Sequence, residues 1–104
     1  MLEAGADKDA ADEFGSTAMH MAAENDNPTT KCLELLLEVG ADADKANHQG
    51  STPLHHAARE GRTECVRLLL EAGTDMEKAD VAGNTPLHLA GERGRADCVR
   101  VLLE

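Results

Sequence analysis

Three histidines and three cysteines carry the side chains best suited to chemistry. His20, His55 and His88 fall 35 and 33 residues apart, and Cys32, Cys65 and Cys98 fall 33 apart. Imidazoles and thiolates are zinc ligands, and together they form nucleophile–base pairs. The spacing argues against both uses. A couple such as Cys65 with His55 would recur in every unit, which marks scaffold rather than one reactive centre. His55 and His56 are sequence neighbours, and adjacent side chains on a helix do not converge on one ion. No glycine-rich phosphate loop and no zinc spacing is present. Asp7, Asp9, Asp42, Asp44, Asp75, Glu77 and Asp80 lack the dense alternation of a calcium loop, so they read as solvated turn carboxylates. No catalytic residue, metal ligand or cofactor is expected.

The cysteines are odd in number, and each is the same residue of a successive unit. Stacked helices lie about 8–10 Å apart, whereas a disulfide needs Cα atoms within roughly 7 Å. All three read as small buried hydrophobes at the start of a helix. Free thiols suit a reducing compartment, so the expected location is cytoplasmic or nuclear.

The elements that position these residues come from a repeat. Gly50-Ser51-Thr52-Pro53-Leu54-His55-His56-Ala57-Ala58-Arg59-Glu60-Gly61 returns 33 residues later as Gly83-Asn84-Thr85-Pro86-Leu87-His88-Leu89-Ala90-Gly91-Glu92-Arg93-Gly94. Gly15-Ser16-Thr17-Ala18-Met19-His20-Met21-Ala22-Ala23-Glu24 is a looser copy. A second block, Cys65-Val66-Arg67-Leu68-Leu69-Leu70-Glu71, keeps the same beat at Cys32–Glu38 and Cys98–Glu104. Thr52 before Pro53 is a helix cap with proline at the first helical position. Cys65, Val66, Leu69 and Leu70 share one helical face. The spacing predicts helices from Thr17 to about Glu24 and from about Thr29 to Val39, with Asn25-Asp26-Asn27-Pro28-Thr29 as a break between them. Gly91 stands inside a helix, where Ala23 and Ala58 stand in the other units, and costs about 1 kcal/mol there.

With Thr-Pro-Leu-His intact at 52–55 and 85–88, and Gly-Ala-Asp at 5–7 and 40–42, the chain resembles ankyrin repeats over essentially its whole length. The resemblance implies an all-α solenoid of stacked helix-turn-helix pairs joined by β-hairpin-like loops. Residues 1–11 would be a partial repeat tail, 12–46 repeat 1, 47–79 repeat 2 and 80–104 a truncated repeat 3. It implies a structural role for His20, His55 and His88, each tying its helix start to a neighbouring turn. Neither end carries an obvious polar cap, which points to a piece of a longer array with two exposed apolar end faces and modest stability.

Net charge is −10, from 20 acids against 10 bases. Nucleic acid and anionic membranes are therefore poor partners. Residues 1–50 hold 11 acids and 3 bases, so an electrostatic partner should be basic and favour that half. No apolar run approaches the roughly 18 residues of a membrane span. The chain is expected to be a monomer or to self-associate weakly end to end.

Such arrays present turn tips and first-helix faces as one concave surface. Mapped here, that surface comprises Glu13, Phe14, Ser16, Glu24 and Asn25 in the first unit and His48, Gln49, Ser51, His56, Arg59 and Glu60 in the second. Val81, Ala82, Asn84, Glu92 and Arg93 complete it in the third. Phe14 is the only aromatic, and aromatics and arginine dominate binding hot spots. Arg59 and Arg93 share the stripe, and a surface ion pair with Glu24 or Glu60 is the plainer use of both. The expected function is a non-catalytic protein–protein interaction module that grips a partner protein or peptide. A structural spacer within a longer array or larger protein is the alternative.

Overall fold

The computed structural model describes residues 7–25 and 30–104 of the chain. Among the described residues six helices run in order: α1 (Ala18–Asn25), α2 (Lys31–Glu38), α3 (Pro53–Glu60), α4 (Thr63–Glu71), α5 (Pro86–Glu92) and α6 (Ala96–Leu103). They pair as α1 with α2, α3 with α4 and α5 with α6. No strand occurs among the described residues. The pairs stack through α1 on α3 on α5, with α4 on α6 behind, into a body of 41 × 27 × 21 Å. This is the all-α solenoid that the repeat predicts.

Each first helix starts where its sequence can satisfy the orphan N–H groups. Thr52 Oγ1 accepts the His55 N–H at 3.4 Å, while His55 Nδ1 accepts the Thr52 N–H at 3.1 Å. Thr85 and His88 repeat this reciprocal box at 3.3 and 3.0 Å. Histidine thus does the work that glutamate does in the usual capping box. Pro53 and Pro86 occupy the first turn, where a missing N–H costs nothing. Helices α2 to α5 end in paired backbone bonds. After α2, Gly40 N–H reaches Leu37 O and Ala41 N–H reaches Leu36 O, closing a Schellman motif. Gly40 therefore lies one residue past the capping Val39.

α2 begins at Lys31, later than the predicted Thr29, which is outside the described residues, as are the other loop positions Asp26, Asn27 and Pro28. Asn25, expected in the loop, closes α1 instead.

The core is thin, as a chain with one aromatic requires. Met19, Ala23, Leu33, Leu54, Ala57, Ala58, Val66 and Leu69 are fully buried and form one continuous cluster with Cys98 and Leu102. Alanine on the first helices lets their axes approach closely. The second helices contribute unequally. Cys65, Val66 and Leu69 are buried in α4, but only Leu33 is buried in α2.

Candidate interaction surface

The surface begins at three hairpin tips built on one residue each. Asp12 Oδ1 accepts the N–H groups of Phe14 and Ser16 at 2.9 and 3.0 Å. Asn47 Oδ1 does the same for Gln49 and Ser51, and Asp80 Oδ1 for Ala82 and Asn84. Backbone bonds close each turn, as in Asp12 N–H to Ser16 O and Gly15 N–H to Asp12 O. The tips then register on one another. His48 N–H donates to Phe14 O and Val81 N–H to Gln49 O, both at 2.9 Å.

Glycine is required where tips stack. A Cβ on Gly15 would lie 2.6 Å from the His48 ring, and one on Gly50 would lie 3.0 Å from Val81 N. Both residues also hold positive φ, +79° and +76°.

A second ladder corrects the reading of the turn acids as merely solvated. Asp9 Oδ1 accepts the Asp42 N–H at 2.8 Å, and Asp44 Oδ1 accepts the Asp75 N–H at 3.0 Å. Asp7, Asp42 and Asp75 each accept the N–H two residues on. A carboxylate at a fixed place in each unit is what an unpaired backbone donor needs in the next. Asp7, Asp9, Asp42, Asp44, Asp75 and Asp80 thus each hold a backbone N–H through Oδ1.

The periodic histidines form a third ladder. His20 Nε2 lies 2.8 Å from Ser51 O and His55 Nε2 lies 2.9 Å from Asn84 O. In each ring Nδ1 accepts a backbone N–H from Thr17 or Thr52, so Nε2 carries the proton. Burial lowers both pKa values below the ordinary 6.5, against partial support from the carbonyls. His88 lies at the end of the stack and is exposed. Arginines add a fourth link on the second-helix side: Arg62 Nε donates to Glu24 O at 2.8 Å and Arg95 Nε to Arg59 O at 3.1 Å.

Between the first two tips and the inner helices lies a cleft of about 380 Å³. Phe14, Met21, Glu24, His48, His56 and Arg59 are among its walls. Phe14 is 64% exposed on the first tip and Val81 is 78% exposed on the third. Glu13, Asn25, His48, Gln49, Ala82, Glu92 and Arg93 are exposed, and Glu24, Arg59, Glu60 and Asn84 are half-buried.

Three positions of the expected stripe are less exposed than a surface position would be, although Ser16 and His56 still line the cleft. Ser16, Ser51 and His56 are buried, His56 to 7% exposure. Stacking puts Ser51 O under the His20 ring, and α1 covers the His56 ring with Glu24 and His20. His56 Nδ1 lies 2.8 Å from Glu24 Oε1, and the His20 and His56 ring centroids are 5.1 Å apart in an edge-on arrangement. Burial lowers the His56 pKa, with His20 and Arg59 acting in the same direction and Glu24 opposing. Arg59 reaches Glu60 at 3.3 Å and Glu24 at 3.9 Å. That part-exposed pairing contributes little stability, but it fixes the guanidinium at the cleft wall. No ion pair to Arg93 is found among the described residues.

Cys32 corrects another expectation, since it is exposed while Cys65 and Cys98 are buried. Cys98 Sγ lies 3.6 Å from Thr63 Oγ1 of the preceding pair, so this position faces backwards along the stack. Behind Cys32 lies instead an apolar groove of about 390 Å³ walled by Ala18, Met21, Ala22, Asn25 and Leu36. The groove lies between α1 and α2, and on α6 Leu103 is exposed.

Sequence reasoning missed the staple residues Asp12 and Asn47 and the clasps Arg62 and Arg95. The signal was there: a short acid or amide at 12, 47 and 80, and Arg after Gly at 61–62 and 94–95. Among the described residues no group of three His, Cys, Asp or Glu side chains could hold a metal ion. Nor is any helix among them long and apolar enough to cross a membrane.

A family model described as ankyrin repeats in three copies matches residues 1–80 and again residues 31–104. No curated protein matches the chain.

Proposed function

The chain belongs to the ankyrin repeat family, and from that premise we propose that it is a non-catalytic protein–protein interaction module. Its fold is consistent with scaffolding between proteins. The finer reading is that the hairpin tips and the α1–α3–α5 face hold a partner protein or peptide. The observation that carries it is Phe14: a large apolar ring left 64% exposed on a tip that backbone bonds hold in register with the next. An apolar group held rigid in water loses little entropy when a partner covers it.

The partner is basic. Asp12 and Glu24 line the cleft, and the first 50 residues carry a net charge of −8. The array works in a reducing compartment, cytoplasmic or nuclear, where its thiols stay free.

The test is capture of partners by two baits, the native chain and a Phe14→Ala/Val81→Ala/Arg93→Ala variant whose circular dichroism matches. A partner retained by the first bait and lost by the second supports the tip surface. Equal retention, or none, defeats it and favours the spacer reading.

A further inference from the structure

At His56 the repeats diverge in chemistry on the inner face of the first helices. Its counterparts are Met21 on α1 and Leu89 on α5. The staple of its own hairpin diverges with it: Asn47 stands where the other tips use Asp12 and Asp80. The structure gives a physical reason for the pairing.

The orientation of the Asn47 amide is dictated by its turn. Oδ1 accepts the Gln49 and Ser51 N–H groups at 2.9 and 3.0 Å, so Nδ2 must point the other way. There it meets Ser16 Oγ at 3.2 Å and His56 Nε2 at 3.4 Å. An amide NH₂ only donates, so His56 Nε2 must be the acceptor. The proton of the neutral ring is then on Nδ1, donated to Glu24 Oε1 at 2.8 Å. One relay, Glu24–His56–Asn47–Ser16, thus runs from α1 through α3 to both of the first two hairpins, and every member is satisfied only while His56 is neutral.

We propose that this relay is a proton-operated latch on the second hairpin tip: neutral His56 keeps the Asn47 staple on the Gln49 and Ser51 N–H groups, and a solvent proton taken up at Nε2 releases those two amides while the backbone bonds of the turn remain. The added N–H points at the Asn47 NH₂, donor against donor. Turning the amide to offer Oδ1 relieves the clash, but withdraws that oxygen from Gln49 and Ser51. The tip loses both staple bonds in one step. Asp in the same place would keep an acceptor for each, so Asn is the choice that makes the tip respond.

Burial is the main cause that favours the neutral ring, and the charged neighbours act in both directions. From α1 come His20, edge-on, and Glu24, the one favourable carboxylate. Arg59 stands one turn along α3, and Asp12 and His48 border the cleft. α5, packed on α3, carries His88 and Glu92, both exposed. α4 carries exposed Glu64, Arg67 and Glu71 and the buried thiol of Cys65. The consequence for a partner, loss of grip at His48 and Gln49 on acidification, rests on reading the cleft as a binding surface. The latch does not rest on it, and its test needs no partner.

The experiment is an NMR pH titration of the native chain from about pH 7.5 to about pH 5.5, across the range where histidine charges. It follows the His56 ring and the protection of the Gln49 and Ser51 amides against exchange. The latch expects both amides to lose protection by about tenfold, the worth of a hydrogen bond, with the His56 midpoint. Ala82 and Asn84, held by Asp80, report general loosening and should hold steady. In Asn47→Asp the His56 midpoint should rise and the tip should stay protected. In His56→Leu, the residue of the third repeat, the pH response should vanish. The proposal is overturned if His56 titrates while Gln49 and Ser51 keep their protection. It is equally overturned if all four amides loosen together, or if His56 takes up no proton before the chain unfolds.

Discussion

His55 and His88 occupy the same place in an identical Thr-Pro-Leu-His motif, yet replacing them with alanine should have very different costs. The His55 ring is fully buried and joins two repeats. Its loss removes the Nε2 bond to Asn84 O, worth about 1 kcal/mol net. Asn84 O keeps a second partner, the Asp80 N–H at 2.9 Å, so that carbonyl is not orphaned. Thr52 N–H is different: it is buried and its acceptor is His55 Nδ1, and leaving it unpaired costs a further 1–3 kcal/mol or about that. The emptied ring volume adds to this, giving about 3–5 kcal/mol in all, a large part of the stability of a domain this size. His88 makes the same cap to Thr85, but the ring is exposed and water can replace it. His88→Ala should cost about 1 kcal/mol, the usual worth of an exposed cap. Urea unfolding followed by circular dichroism reads the difference directly, provided the slopes agree between variants. Equal losses for the two would refute the assignment of His55 as an inter-repeat clip. A loss at His55 of no more than about 1 kcal/mol would do so too, since it would mean the Thr52 N–H is never stranded.

Acid should weaken the stack through the same rings. Burial lowers the pKa of His20 and His55 in the folded chain, so below 6.5 the unfolded chain binds more protons. Their stability is complete above 6.5 and is lost as pH falls through the folded values. The urea midpoint should fall on acidification in that window and fall less in His20→Gln/His55→Gln; an unchanged dependence in the double variant contradicts the assignment. Gly91→Ala should stabilise the chain by about 1 kcal/mol, because the residue is helical and an added Cβ meets nothing within 4 Å. Thermal unfolding tests this, and destabilisation would show that the position needs glycine. Cys32 should react quickly with a thiol reagent in the native chain, while Cys65 and Cys98 react only as fast as the stack opens. Three equal rates would contradict the burial pattern.

The sequence alone was enough for the period, the helix pairs and the class of fold. Thr-Pro before Leu-His writes a cap, a first-turn proline and a reciprocal histidine into four adjacent residues, and such local chemistry is legible without a neighbour. Glycine at 15 and 50 and the leucine-rich second helices are legible for the same reason. The position of Phe14 on a turn was legible too, but not whether it packs down on the next tip.

What only the tertiary structure decided is which copy of each repeated residue has a partner. His55 and His88 end the same Thr-Pro-Leu-His motif, and Cys32 and Cys98 hold the same place in the repeat, yet one of each pair is buried and the other exposed. His56 reads as a member of the surface stripe, and becomes a buried ring only because α1 brings Glu24 and His20 over it. Asn47 looks like any turn amide until its NH₂ is seen to face that ring. Burial and pairing in a stack depend on groups some thirty residues away, such as His20 with Ser51 and Arg62 with Glu24. A repeat announces its own shape, whereas the work of each side chain is set by the unit packed against it.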